Sequence, residues 1–257
     1  MTTHLTTILS LFPGAGIMDH GFTLAGFCVL RGPEIMLGQN IQDFHIHAGV
    51  VTGIIAGPPC QDFSAARRSP PTGYGLEMLR ECARIILEAQ PVWWLVENVP
   101  GVPNVIIPKY TVSRFNLTAS EFGSNQRRNR AFQFGYSSGP PLSIFSPGRS
   151  HFGRTTPAVL TRDVNRPLAK LRELQGLPAD HRMPLLSRVA QTRLIGNGCA
   201  VPVALAIAQA IRDRYTRVNF RTCVCGCGRV ICGPRRKKAF SAACRKRLQR
   251  ANTLPAP

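Results

Sequence analysis

The sequence of 257 residues predicts an α/β protein built on a parallel sheet with helices on its faces. Residues 5–12 and 50–56 are short, apolar, β-rich runs, and each is followed by a turn that contains glycine and proline. Residues 76–89 carry apolar side chains at helical spacing, and a further apolar run at 92–96 follows Pro91. Strand, turn and helix that alternate in this order are typical of a parallel sheet covered by helices.

The remaining elements follow from local composition. The turn after the first strand leads into a predicted helix at 17–25. Residues 137–165 are rich in Ser, Gly, Pro and Arg, which predicts loops over one or two short strands. A last helix is predicted at 201–215, after Gly196-Asn197-Gly198.

The charge of the chain points to a polyanionic partner. The formal net charge is +19, and residues 217–257 hold eleven Lys or Arg and no Asp or Glu. Such a balance raises the affinity for nucleic acid, although a merely solvated basic surface is the alternative. No apolar run approaches the roughly 20 residues of a membrane helix, and no signal peptide begins the sequence, so we expect a cytoplasmic protein.

Two residues at predicted strand ends are candidates for chemistry. Cys60 directly follows Pro58-Pro59, and a cysteine on such a stiff loop is either an exposed nucleophile or a structural thiol. Glu97 ends the next predicted strand, where burial would raise its pKa, and capping of the following turn is the alternative. In parallel sheets ligands bind beyond the carboxyl ends of the strands, so we expect both side chains in one cleft.

Five motifs in one order resemble those of the DNA cytosine-5 methyltransferases, over about residues 5–215. These motifs are Leu11–Gly16, Gly57–Ser64, Glu97–Val99, Gln126–Arg130, and Ile195–Asn197 followed by Ala200–Pro202. The resemblance implies a Rossmann-like methyltransferase sheet that acts on double-stranded DNA.

The resemblance also implies the catalytic residues. Cys60 would add to carbon 6 of cytosine while Glu97 contacts ring nitrogen 3 and the amino group, and Arg128 and Arg130 would steady the base. Because a stacked base cannot reach Cys60, the cytosine must be flipped out of the duplex. The substrate-binding residues implied by the resemblance are Gln61, Ser64 and Gln126.

S-adenosylmethionine is the methyl donor that the resemblance implies. The residues predicted to bind it are Phe12, Gly14, Gly16, Glu34, Asp43, Pro58 and Asn197. Glu34 lies 22 positions after Phe12, a suitable distance for an acid that receives ribose hydroxyls, although a surface acid is the alternative. Asp43 would contact the adenine edge, and Asn197 would support the methionine end or cap a helix.

The C-terminal segment contains five cysteines with the spacing Cys-x-Cys-x-Cys-x4-Cys-x11-Cys. Close thiolate pairs with a distant partner suit tetrahedral zinc, and a disordered basic tail with incidental cysteines is the alternative. The predicted ligands are Cys223 (or Cys225 in its place), Cys227, Cys232 and Cys244, so the tail is expected to be zinc-finger-like.

These observations predict four segments. Residues 1–136 form the catalytic and cofactor-binding core, 137–178 a reduced target-recognition region, 179–216 the rest of the core, and 217–257 a Cys-rich basic module. The predicted protein is a monomeric restriction-modification methyltransferase with a possible endonuclease partner, of a compact kind that suits a phage. The alternatives are an RNA cytosine-5 methyltransferase and a nucleic-acid-binding protein of the same fold without turnover.

Overall fold

The computed structural model describes residues 7–139, 141–148, 155–163, 165–183, 185–216, 220–225, 230–232, 238–239 and 241–253. The strands within these ranges are β1 (Thr7–Leu11), β2 (Cys28–Arg31), β3 (Gly53–Ala56), β4 (Trp93–Asn98), β5 (Thr111–Thr118), β6 (Gln126–Arg127), β7 (Asn129–Tyr136), β8 (Thr156–Pro157), β9 (Phe220–Thr222) and β10 (Val230–Cys232). The helices are α1 (Ile17–Leu24), α2 (Tyr74–Ala89), α3 (Leu168–Gln175), α4 (Arg188–Asn197), α5 (Val201–Thr216) and α6 (Ala242–Thr253).

A six-stranded sheet in the order β2-β1-β3-β4-β7-β5 forms the centre of the fold. Strands β1 to β4 pair in parallel, as the sequence predicts, whereas β7 runs antiparallel to both β4 and β5. The four parallel strands therefore end at one edge. Two small sheets, the parallel pair β6-β8 and the antiparallel pair β9-β10, complete the described strands.

The pleat of the sheet divides the apolar side chains between two cores. In β4, Trp93 faces α1 and α5, whereas Trp94 faces the core that α2 closes. Both indole side chains are buried, with Trp94 fully so. Helices α1 and α5 touch closely, because a Cβ at Gly21 would lie 2.6 Å from the Cβ of Ala204. Because side chains alternate between the two faces along each strand, the sheet packs against helices on both sides.

The predictions for the sheet core are confirmed within the described residues. Strands β1, β3 and β4 and helices α1, α2 and α5 lie where the sequence places them, with ends that shift by up to three residues. The region 137–165 contains the short strand β8, as expected. Strand β2, the antiparallel pair of β5 and β7, and helices α3 and α4 were not predicted from the sequence.

In the part of the chain that is described, no single helix is long and apolar enough to cross a membrane. Helices α4 and α5 pass that test only as a pair bent by 42°. Most of the apolar residues of α5 are buried against the sheet, among them Ile207, Ala208 and Ile211.

Candidate active site

An open cleft of about 470 Å³ lies at the carboxyl ends of β1, β3 and β4. The strand register aligns Leu11, Ala56 and Val96, so the residues that follow them lie side by side at this edge. These residues are Phe12, Gly57 and Glu97, and a Cβ at Gly57 would lie 3.8 Å from both Phe12 O and Glu97 Oε2. The predicted site residues that line the cleft are Phe12, Gly14, Glu34, Pro58, Cys60, Gln61, Glu97, Arg130 and Asn197.

Cys60 stands on a loop fixed from two sides. The backbone N–H of Gly57 donates to Leu11 O at 3.2 Å, so the loop leaves β3 still bound to β1. The buried Asn98 donates from Nδ2 to Pro58 O at 3.0 Å, and its Oδ1 accepts the N–H of Val99 at 2.8 Å. Proline cannot extend the sheet here, so the side-chain amide supplies the hydrogen bond that ties the loop to β4.

The residues after Cys60 form a 3-10 turn, Gln61–Phe63, anchored to the start of α2. The carboxylate of Asp62 accepts the N–H of Thr72 at 2.9 Å and the N–H of Gly75 at 2.8 Å. These backbone donors lower the pKa of Asp62 below its ordinary range. Asp62 was not predicted as a site residue, because the sequence does not show which backbone groups an acid in the middle of a motif binds.

The buried Glu97 and the partly buried Arg130 form an ion pair that faces the cleft, with Glu97 Oε1 2.9 Å from Arg130 Nε. Burial raises the pKa of Glu97, although the charges of Arg130 and Arg128 oppose the shift. Burial also raises the pKa of Cys60, and the negative charge of Glu97 raises it further. Both shifts move the two groups toward their protonated forms relative to the free side chains.

Arg128 and Gln126 brace the fold and do not line the cleft. Arg128 is almost completely buried and donates to Val159 O at 2.9 Å and to Gly196 O at 2.7 Å. Burial lowers the pKa of Arg128 to about 9. Gln126 is fully buried and donates to Leu174 O at 2.6 Å. Contact of either side chain with a base, as the resemblance implies, stays a prediction.

The glycine turn and Glu34 form the opposite wall of the cleft. Glu34 is buried, and its Oε2 accepts the N–H of Gly14 at 2.8 Å while Oε1 accepts the N–H of Met36 at 3.1 Å. Gly16 begins α1 with φ 69°, which suits glycine, but it lies outside the cleft lining. Phe12 has a positive φ of 54°, a conformation that is costly for a side chain of this size.

Asp43 and Ser64 lie outside the cleft lining, and the cleft is also lined by residues that were not predicted from the sequence. Asp43 ends a 3-10 helix, Ile41–Asp43, whose first residue lines the cleft together with Asn40. Arg193 of α4 also lines the cleft. The Asn40 side chain caps that short helix, a signal visible in the sequence, whereas no local pattern distinguishes Arg193 from other arginines.

A second cluster lies in the C-terminal segment. The Sγ atoms of Cys223, Cys225 and Cys244 all lie within 4.8 Å of one another, an arrangement that could hold a metal ion. Cys225 thus joins the cluster beside Cys223, instead of replacing it. Cys227 lies outside the described residues, and for Cys232 the structure describes the backbone in β10.

Known DNA methyltransferases are similar to this chain in sequence. The family model described as "C-5 cytosine-specific DNA methylase" matches residues 38–170. The chain is 32% identical over 178 residues to the Type II methyltransferase M.AquIA of Picosynechococcus, covering 50% of this chain and 71% of that protein. It is 29% identical over 171 residues to M.FnuDI of Fusobacterium nucleatum, covering 54% and 49%. M.DdeI of Desulfomicrobium norvegicum is 24% identical over 253 residues, covering 83% and 61%.

Solved structures share the fold. A DNA modification methyltransferase encoded within a prophage of E. coli matches with a TM-score of 0.63 and 16% identity, covering 82% of this chain and 99% of that chain. The Dnmt2 methyltransferase of S. pombe matches with a TM-score of 0.61 and 12% identity, covering 81% and 99%. At such identities the likeness concerns the fold alone.

Proposed function

The chain belongs to the C-5 cytosine-specific DNA methylase family, and we propose that it transfers a methyl group from S-adenosylmethionine to carbon 5 of cytosine in DNA. It spans about half of the length of M.FnuDI and 71% of M.AquIA, so the activity of the whole protein is part of this proposal. The observation that carries it is that Cys60, on the loop after β3, and Glu97, in the neighbouring parallel strand β4, line one cleft.

The two groups divide the chemistry. The Cys60 thiol gives its proton to solvent and forms a bond from sulfur to carbon 6 of a flipped cytosine, while Glu97, which takes up a proton as the base enters, donates a hydrogen bond to ring nitrogen 3. Electron density then moves to carbon 5, which becomes nucleophilic. After methylation the proton on carbon 5 leaves to a base, the bond from sulfur to carbon 6 breaks, and the double bond returns. Arg130 holds Glu97 in place, and its positive charge stabilises the thiolate form of Cys60.

The cleft fits S-adenosylmethionine, which supplies the electrophilic methyl group when bound. Its volume of about 470 Å³ lies within the usual range for a pocket that holds a cofactor. Apolar side chains of Phe12 and Ile35 and the buried carboxylate of Glu34 line it together. We assign Glu34 to the ribose hydroxyls, because each of its oxygens keeps a lone pair beyond its backbone bond. Asn197 and Pro58 line the same cleft and complete the set.

Two further assignments belong to the proposal. Residues 137–178 would read the target sequence in double-stranded DNA, between the core segments 1–136 and 179–216, with Gln61 of the cleft holding the rearranged strand. Zinc is the ion proposed for the cysteine cluster of the basic module 217–257, because thiolates are its preferred ligands. A monomeric state and a cytoplasmic location are expected for an enzyme of this kind, with a restriction endonuclease as a possible partner.

Transfer of labelled methyl groups tests the activity. We expect the full chain to label duplex DNA of mixed sequence, Cys60→Ser to abolish labelling, and Cys28→Ser to leave it unchanged, because Cys28 is an exposed thiol outside the cleft. A duplex that contains 5-fluorocytosine should trap a covalent adduct with wild type and not with Cys60→Ser. Labelling of RNA alone would favour the RNA enzyme, and absence of any adduct would contradict the covalent mechanism.

A further inference from the structure

The cysteine cluster joins two separate elements of the C-terminal module. Cys223 and Cys225 follow β9, in the connection of the β9-β10 hairpin, and Cys244 lies in the first turn of α6. Cys223 and Cys244 are buried, and Leu248, one turn after Cys244, packs partly buried against the same cluster. The cluster is therefore the point at which hairpin and helix meet.

We infer that Cys223, Cys225 and Cys244 form a three-thiolate zinc clamp that fixes α6 with its basic face outward, as a contact for the phosphates of DNA. This inference rests on the proposed zinc and on the proposed DNA substrate. Around a tetrahedral zinc ion with bonds of about 2.3 Å, sulfur atoms lie about 3.8 Å apart. The Sγ atoms of Cys223 and Cys225 are 3.3 Å apart, and all three sulfurs lie within 4.8 Å, so small adjustments suffice.

A hydroxyl group caps the start of α6 beside the cluster. The Ser241 hydroxyl accepts the N–H of Cys244 at 3.3 Å and lies 3.3 Å from its Sγ. This cap fixes the first turn of α6, which carries Cys244 to the hairpin cysteines.

The hairpin register separates Cys232 from this clamp. Cys232 pairs with Phe220, three residues before Cys223, so its backbone lies about 10 Å farther along the hairpin, at about 3.3 Å per residue. That distance exceeds what two ligands of one zinc ion span when their backbones run side by side. We therefore propose the three-thiolate set without Cys232, and its role as a ligand stays a prediction from the cysteine spacing.

The outward face of α6 is basic. Arg245 and Lys246 directly follow the buried Cys244, and both are exposed. On a helix these positions turn away from the inward pair formed by Cys244 and Leu248. Exposed cations on a fixed helix can contact DNA phosphates, and such contacts bring no base preference. A contact of this kind would add affinity to an enzyme whose region for base recognition is short.

Metal content tests the clamp. We expect about one zinc ion per full-length chain purified under reducing conditions, measured by elemental mass spectrometry. Cys223→Ser, Cys225→Ser and Cys244→Ser should lose it, whereas Cys232→Ser and Cys28→Ser should keep it. Absence of zinc from reduced wild type, or its retention in Cys244→Ser, would overturn the clamp. Loss in Cys232→Ser would overturn the ligand set. None of these results depends on methyl transfer.

The salt dependence of DNA binding tests the helix face. For R245Q and K246Q we expect the slope of log affinity against log salt to fall by about 0.9 each, with zinc retained. R80Q, which removes an exposed charge from α2, should leave the slope unchanged. At saturating DNA the R245Q and K246Q enzymes should transfer methyl groups at the wild-type rate. Unchanged slopes would refute the phosphate contact even if zinc is present, whereas an inactive wild type would refute the proposed function instead.

Discussion

Replacing Asn98 by alanine should separate the position of Cys60 from the stability of the fold. The side chain makes two hydrogen bonds, one to Pro58 O at 3.0 Å and one from the N–H of Val99 at 2.8 Å. Asn98 is buried, so the substitution leaves the Pro58 carbonyl without its amide donor in a place that water reaches poorly. A lost hydrogen bond costs about 1 kcal/mol, and an unsatisfied buried group costs about 1–3 kcal/mol. We expect the free energy of unfolding to fall by about 2–4 kcal/mol.

The same substitution should reduce methyl transfer beyond what the loss of stability explains. The loop that carries Cys60 loses its tie to β4, and a displacement of about 1 Å of a reacting group can reduce the rate roughly 10²-fold. Single-turnover transfer to duplex DNA, measured well below the melting temperature, reports this loss. Denaturant unfolding of the same sample gives the stability and the folded fraction.

Gln133→Ala is the matched control for Asn98→Ala. Gln133 is also a buried amide, and it donates to Pro103 O at 2.8 Å and accepts the N–H of Val105 at 2.7 Å. It therefore forms the same pair of bonds to a different loop, outside the cleft lining. We expect similar destabilisation with near wild-type single-turnover rates. Equal rates for the two variants would refute the argument that Asn98 positions Cys60.

Two further substitutions test the cleft, and a third tests the loop after β4. Glu97→Gln should lower kcat roughly 10²–10⁴-fold. The same substitution should speed alkylation of Cys60 at mildly alkaline pH, because the charge of Glu97 raises the pKa of that thiol. Peptide mapping after iodoacetamide treatment measures the second effect, and slower alkylation would contradict it. Gly101→Ala should destabilise the fold by about 1–3 kcal/mol in thermal unfolding, because the added Cβ would lie 2.5 Å from Phe63 O. An unchanged melting temperature would show that the loop moves to accommodate the methyl group without cost. Glu34→Gln should weaken S-adenosylmethionine binding about tenfold in calorimetry, a loss of about 1.4 kcal/mol, and equal affinity would remove Glu34 from the ribose site.

The sequence was sufficient for three of the four parallel strands and for the centre of the site. Strands β1, β3 and β4 are apolar runs bounded by Gly and Pro, so their pattern is local. Residues at the carboxyl ends of neighbouring parallel strands must meet, and Cys60 and Glu97 both line the cleft as expected. Strand β7 was missed because its pairing with β4 and β5 is antiparallel and lies beyond the alternation of strand and helix.

Only the tertiary structure decided the contacts between residues that are far apart in the chain. Motif position gives Arg128 and Arg130 the same importance, yet Arg130 faces Glu97 in the cleft whereas Arg128 is buried against the Val159 and Gly196 carbonyls. Spacing could not choose among the cysteines, because the approach of Cys244 to Cys223 depends on how α6 packs against the hairpin. Local sequence sets strand ends and turns through backbone conformation and apolar periodicity. The partners of a buried polar group are set by packing, which brings donors and acceptors together across the fold.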